Sequence, residues 1–367
     1  MKKSGSGVGT RILRYVLSAI LHRKPLVAQM SNAHCTPYPV QNSTLSTMAL
    51  AADLARLYSF SAPVDCTFFR KGICDTYRVS TAGFAYYLKV YRHGRRTLVD
   101  VEEEVRLVRH LFENGISIAR PIRKKDDTYI TGFCAPEGTR YAVLFEAARG
   151  VHDDHGDLAK IAALGRLVGR MHRVLDSFPL PYRRRDLDLS HLIDDNLDAI
   201  GEIMSDRPSD FRTVRSIAAA IGQLPLFRTT RAPEYGPCHG DLHGGDVAYD
   251  RHGNPTLFDF DSSGCGWRAY DIGVFPASVE WMDLSEATVS ARERRLASFL
   301  ESYQESRVLT AEELAVVRAS PAIRHIFLMG HVLKHTTITE GSHWANDSFI
   351  DWHMKWFRNW ISAVESA

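Results

Sequence analysis

The chain changes character at Gly150. Before it, short runs of aromatic and β-branched residues recur between turn glycines. After it, apolar residues recur at three- and four-residue spacing. Runs of the first kind predict strands, and a period near 3.6 predicts helices. Strands followed by helices, with a polar segment set among the helices, predict an α+β protein of two lobes, a small β-rich one and a larger, mainly helical one. With 367 residues and 45% apolar content, the chain has ample core material for both.

Strands are expected at 66–69, 76–79, 84–91, 128–133 and 141–145, and a short Ala/Leu-rich helix at 47–58. Val101, Val105, Val108 and Leu111 line one face of a helix over 100–114, closed by Asn114-Gly115. Beyond Gly150, Leu158, Ile161, Leu164, Val168, Met171 and Leu175 define a helix ending near Pro179. Further helices are expected at 193–204, 211–221, 290–306, 311–318 and 349–364. The first 47 residues read as a disordered or weakly helical tail, so the expected division is 1–47, 48–146 and 147–367.

A net charge of +2 calls for neither nucleic acid nor an anionic membrane as the main partner. The basic run Arg183-Arg184-Arg185 reads as a solvated face. Six scattered cysteines with no C-x-x-C pair argue against a disulfide framework and a zinc knuckle, and for a reducing, cytoplasmic setting. The apolar run 12–21 is interrupted by Arg14 and is too short to span a membrane.

The polar segment is HGDLHGGDVAYD, His239 to Asp250, with Asp259-Phe260-Asp261 following. His239 and His243 stand four apart, as in helical zinc sites, but Gly240, Gly244 and Gly245 oppose a helix and no glutamate lies between the histidines. Phosphoryl transfer fits better. It needs a carboxylate to orient the attacking hydroxyl, oxygen ligands for a metal, and a cation over the nucleotide phosphates. Asp241 and Asp246 have the five-residue spacing of a catalytic loop, residues 249–257 form a hairpin, and Asp259 follows it. Upstream, Lys89 sits in the strand Tyr86-Tyr87-Leu88-Lys89-Val90, and Glu103-Glu104 lie in the next helix, where a carboxylate can hold that lysine.

With these parts the chain resembles the phosphotransferase family of aminoglycoside, choline and homoserine kinases and a stress-response protein kinase, which share the protein-kinase-like fold. Lys89-Val90-Tyr91, the helix from Glu104, Ala163 to His172, HGDLHGGD and LFDFD carry the resemblance. It implies that Asp241 is the catalytic base and that Lys89, held by Glu104, meets the phosphates of ATP. It implies Mg²⁺ at Asp246 and Asp259 with Asp261 as a further metal partner. Phe145, Glu146 and Ala147 become the hinge against adenine, and His239 and the buried acid Asp271 support the catalytic loop.

Two departures stand out. The nucleotide-covering turn, Lys71 to Asp75, has a single glycine, and Asp246 stands where the family carries Asn. A second carboxylate is a good hard-cation ligand but repels Asp259 in the absence of metal. The expected activity is transfer of the γ-phosphate of ATP to a small-molecule hydroxyl; a protein Ser/Thr kinase and a nucleotide-binding pseudokinase are the alternatives. Trp281, Asp283, His331, His335, Trp344 and Asp347 are acceptor-site candidates by position. The repeat Trp352, Trp356, Trp360 reads as helix core rather than as a cage for a quaternary ammonium.

Overall fold

The computed structural model describes residues 38–61, 63–152, 156–278, 283, 285–336 and 346–365. Asn42–Ala367 form one compact unit. Five antiparallel strands, β1 (Asp65–Lys71), β2 (Cys74–Thr81), β3 (Phe84–Tyr91), β4 (Ile130–Ala135) and β5 (Gly138–Glu146), make a sheet in the order β1-β2-β3-β5-β4. Side chains alternate across a strand, and β3 uses both faces at its buried end. Leu88 and Val90 pack with Leu50, Leu54 and Leu144. Lys89 and Tyr91 turn the other way, toward the helix Leu98–Glu113.

That helix is fixed at its start by a capping box between Thr97 and Asp100. Its inner face carries Leu107, Val108 and Leu111 into the core of the second lobe. The helix therefore bridges the sheet and the helical lobe, and Glu104 lies between them.

Residues 43–45, assigned by the sequence to the tail, are tied to the sheet. Ser43 donates from its N–H and hydroxyl to Glu137 at 3.0 and 2.8 Å, and the Leu45 N–H donates to the Tyr77 hydroxyl at 2.9 Å. A turn glutamate and a strand tyrosine capture backbone that composition leaves unassigned. Residues 1–37 lie outside the described residues.

In the second lobe the helices Leu158–Leu175, Asp195–Ile203, Pro208–Gly222, Arg268–Ser278, Glu286–Tyr303, Ala311–His331 and Asp347–Glu365 accompany two short antiparallel strand pairs. β6 (Tyr235–Cys238) pairs with β9 (Gly264–Trp267), and β7 (Val247–Tyr249) pairs with β8 (Pro255–Leu257). The turn expected before β8 is closed by the Asp250 carboxylate, which accepts the N–H groups of His252 and Asn254 at 2.8 and 2.9 Å.

One helix departs from expectation in length. A helix over 311–318 is predicted, and the structure continues it to His331, through Pro321. Proline in a helix interior loses a donor and crowds the carbonyl four residues back, here that of Val317. Burial overrides the cost: Val316, Val317, Ala322, Ile323 and Ile326 are all within the core. Gly273 lets the neighbouring helix approach so closely that a Cβ there would come 2.4 Å from the Val317 carbonyl oxygen.

Candidate active site

Lys89 Nζ donates to Glu104 Oε1 at 3.0 Å and to Asp259 Oδ1 at 2.7 Å. Glu104 also accepts from the Tyr91 hydroxyl at 3.0 Å and from Arg184 at 3.3 Å. Burial opposes the charge on Lys89, but Asp259 and Glu104 outweigh it and hold the ammonium's pKa well above its ordinary value. Burial likewise opposes ionisation of Asp259, and Lys89 reverses that, holding its carboxyl below the usual range. Asp259 has φ +62°, in the left-handed region few non-glycine residues adopt, so the turn after β8 aims its carboxylate under a local constraint.

Asp241 sits on the loop between β6 and β7. The loop is held from beneath by Asp271, whose two carboxylate oxygens accept the N–H groups of His239 and Gly240 at 2.7 and 2.8 Å. His239 Nε2 lies 3.0 Å from the Phe258 carbonyl, which assigns the proton to Nε2 and leaves Nδ1 facing the Asp241 N–H at 3.4 Å. Gly240 has φ +82°, and a Cβ there would come 2.2 Å from the Ser262 carbonyl oxygen, so glycine alone fits. Asp241 is half-buried and its Oδ1 is paired with Arg324.

Asp246 is buried, with Oδ2 3.3 Å from His243 Nε2. Burial, then the charges of Asp259 and Asp241, push its pKa well above the ordinary carboxylate value. Ligand atoms of Asp241, His243 and Asp246 all lie within 4.8 Å of one another. Convergent carboxylates, one of them buried and held protonated by its neighbours' charge, fit a hard divalent ion.

Asp261, expected beside the metal, is otherwise engaged. Arg96 Nε donates to its Oδ1 at 2.9 Å, and Arg96 and Arg184 both donate to its carbonyl. Arg183 and Arg185 are exposed as expected, but Arg184 is only 7% exposed and ties Glu104 to Asp261. A cavity of ≈ 250 Å³ opens beside Lys89 and Asp259, lined also by Ile73, Tyr87, Phe145 and Ala148. Of the three expected hinge residues, Phe145 and Glu146 line it, as does the neighbouring Ala148. The N–H groups of Glu146 and Ala147 donate to the carbonyls of Arg120 and Ala85 at 2.9 and 3.1 Å.

Among the acceptor-site candidates, Trp281 and Trp344 lie outside the described residues. Asp283 closes a local turn onto Ser285 and Thr288, and Asp347 lies 3.9 Å from Arg207. His331 is 3.5 Å from Arg95, with the ring of His335 beside it. The tryptophan repeat is core: Trp356 is buried and stacked on His325, and Trp352 and Trp360 pack around it. Arg96, Arg184 and Arg324 are the site residues that sequence reasoning missed. Only the basic run around Arg184 offered a signal, and it pointed to the surface.

The fold and this constellation have clear counterparts. The model of the phosphotransferase enzyme family matches residues 65–309. An uncharacterised protein of Synechocystis sp. is 33% identical over 253 residues, 68% of this chain and 70% of the relative. The amicoumacin kinase of Bacillus subtilis is 27% identical over 255 residues, 67% of this chain and 73% of the relative. Among solved structures, an amicoumacin kinase in complex with AMP-PNP, Ca²⁺ and its antibiotic superposes with a TM-score of 0.67 at 22% identity, over 85% of this chain and 94% of that one. Nucleotide and divalent-metal use go with this fold in that complex, and among the described residues no helix is long and apolar enough to cross a membrane. The chain belongs to the phosphotransferase enzyme family and is an ATP-dependent phosphotransferase of the protein-kinase-like fold.

Proposed function

We propose that the chain transfers the γ-phosphoryl group of ATP to a hydroxyl of a small molecule, with Asp241 as base and Mg²⁺ held by Asp246 and Asp259. The observation that carries this reading is the pairing of Lys89 with both Glu104 and Asp259 at the edge of a cavity that Asp241 also lines. Lys89, kept charged by its two partners, meets the phosphates. Asp241 accepts a hydrogen bond from the acceptor hydroxyl and takes its proton as the oxygen bonds to the γ-phosphorus. The bond to the leaving ADP oxygen breaks, and the products are ADP and a phosphate ester. The divalent ion, when bound, neutralises charge on the phosphate oxygens. Asp261 steadies Arg96 and so takes no direct part in this assignment. Phe145, Glu146 and Ala147 form the hinge against adenine, and the first two line the cavity beside Lys89. The described cysteines are unpaired, in keeping with a reducing, cytoplasmic setting.

The test is ADP release in the presence of a panel of hydroxylated metabolites, with Mg²⁺ and with chelator, for the parent and Asp241→Asn. Metal-dependent release abolished in the variant supports the assignment. Release carried equally by Asp241→Asn would remove Asp241 from the role of base. Label transferred to protein instead of to a metabolite would favour a protein kinase.

A further inference from the structure

Asp241 is bordered by more positive charge than its own pairing uses. Arg324 is 8% exposed and gives one nitrogen to Asp241. Its Nε and Nη1 are buried with no hydrogen-bond acceptor in bonding geometry among the described residues, and the Tyr270 hydroxyl beside it helps to hold its charge. The same holds for Nε and Nη2 of Arg92 and for Nε of Arg95. Buried donors left without acceptors are costly and point to a group that completes them.

These side chains form one cluster. Arg324 and His331 lie on the same helix two turns apart, on one face and roughly 10 Å from each other along the axis. His331 Nε2 stands 3.5 Å from Arg95 Nη2, and Arg96 adjoins Arg95. The cluster perturbs its own members. Burial first, then Arg96, lowers the pKa of Arg95. Burial, then Arg95, His335 and Arg324, depresses His331 to about 3. Nearby carboxylates offset only part of this charge, and among the described residues none is ion-paired with Arg92 or Arg95. Asp261 is held by Arg96, Asp241 by Arg324 and Asp195 by Arg185, while Asp188 accepts the His191 N–H at 2.8 Å. Nor is the cluster the seat of the nucleotide: Arg92, Arg95, Arg324 and His331 do not line the cavity beside Lys89.

We infer that the acceptor carries a carboxylate or phosphate group, seated between Arg95 and Arg324, with its hydroxyl directed to Asp241. The guanidinium fork matches the two oxygens of either anion. The inference rests on the phosphotransfer reading above for the role of Asp241, but the anion site itself is testable without it.

Calorimetry of the full chain with glycerate, glycerol phosphate, glycerol, aminopropanol and inorganic phosphate, each with and without AMP-PNP and Mg²⁺, decides the matter. The expected result is binding of glycerate or glycerol phosphate in clear preference to glycerol and aminopropanol. That affinity should fall about tenfold in Arg95→Gln, partly recover in Arg95→Lys, and stay unchanged in the distant control Arg109→Gln. Equal or better binding of glycerol or aminopropanol would overturn the inference, as would no binding of either hydroxylated anion. Inorganic phosphate bound as tightly as the hydroxylated anions would make this a bare anion site and overturn the acceptor assignment. Failure of AMP-PNP to bind would count against the phosphotransfer reading, while the ranking of the anions stands or falls by its own arm.

Discussion

Lys89 Nζ lies 2.7 Å from Asp259 and 3.0 Å from Glu104, so one ammonium joins the sheet, the bridging helix and the turn that follows β8. Removing one partner of a buried ion pair strands the other and typically costs about 3–5 kcal/mol. Lys89→Met should therefore lower unfolding stability by about 3 kcal/mol, the low end, because Glu104 keeps Arg184 and Tyr91. In urea unfolding, Lys89→Met combined with Glu104→Gln should be less damaging than the sum of the single changes, with a coupling of at least about 0.5 kcal/mol. Strict additivity would show that the pair is not energetically linked.

Asp246 gives a metal- and pH-dependent signature. Its folded-state pKa is raised, first by burial and then by Asp259 and Asp241. For an acid with a raised pKa, stability is intact below the unfolded-state value of about 3.9 and is lost as pH rises toward the folded-state value. In chelator, Asp246→Asn should accordingly melt above the parent at pH 7, with the gap closing toward pH 4. Mg²⁺ should raise the parent's Tm more than the variant's, and ATP affinity should gain more from the metal in the parent. Equal metal responses in the two proteins would refute a metal-ligand role for Asp246.

Asp241→Asn keeps the shape of the side chain but removes its basicity. Positioned general-base catalysis contributes about 10²–10⁴-fold, so kcat should fall within that range while ATP affinity, set by Lys89 and the hinge, stays the same. A matching fall in ATP affinity would indicate a disturbed loop rather than a lost base.

The loop itself rests on Asp271, whose two oxygens receive two converging N–H groups. An amide offers one acceptor and presents a donor to the other N–H. Asp271→Asn should cost about 1–3 kcal/mol of stability and reduce kcat with little change in nucleotide affinity. Full activity in that variant, assayed below its melting temperature, would mean the loop holds its shape without the carboxylate.

Local chemistry made much of this readable in advance. The strand Phe84–Tyr91 announces itself by its aromatic and β-branched residues, and the helix bearing Glu104 by its valine spacing. Asp241, Asp246 and Asp259 are close in sequence, so spacing alone gathers them. What sequence reasoning missed depends on distant packing. Arg184 looks like its solvated neighbours until Glu104 and the Asp261 carbonyl surround it. Arg324 was hidden behind Pro321, which marks a helix end by local rules but here lies in a helix held by buried neighbours on both sides.

The helix Ala311–His331 begins just past residue 309, where the family match ends. A protein trimmed at that border would retain Lys89, Asp241, Asp246 and Asp259, and by every motif it would still read as complete. It would nonetheless have lost Arg324, the partner of Asp241. Chains that share all the motifs can thus diverge in what they phosphorylate through a segment that motif comparison never reaches, and substrate surveys within this family gain most by sorting members on the residues that follow the shared region.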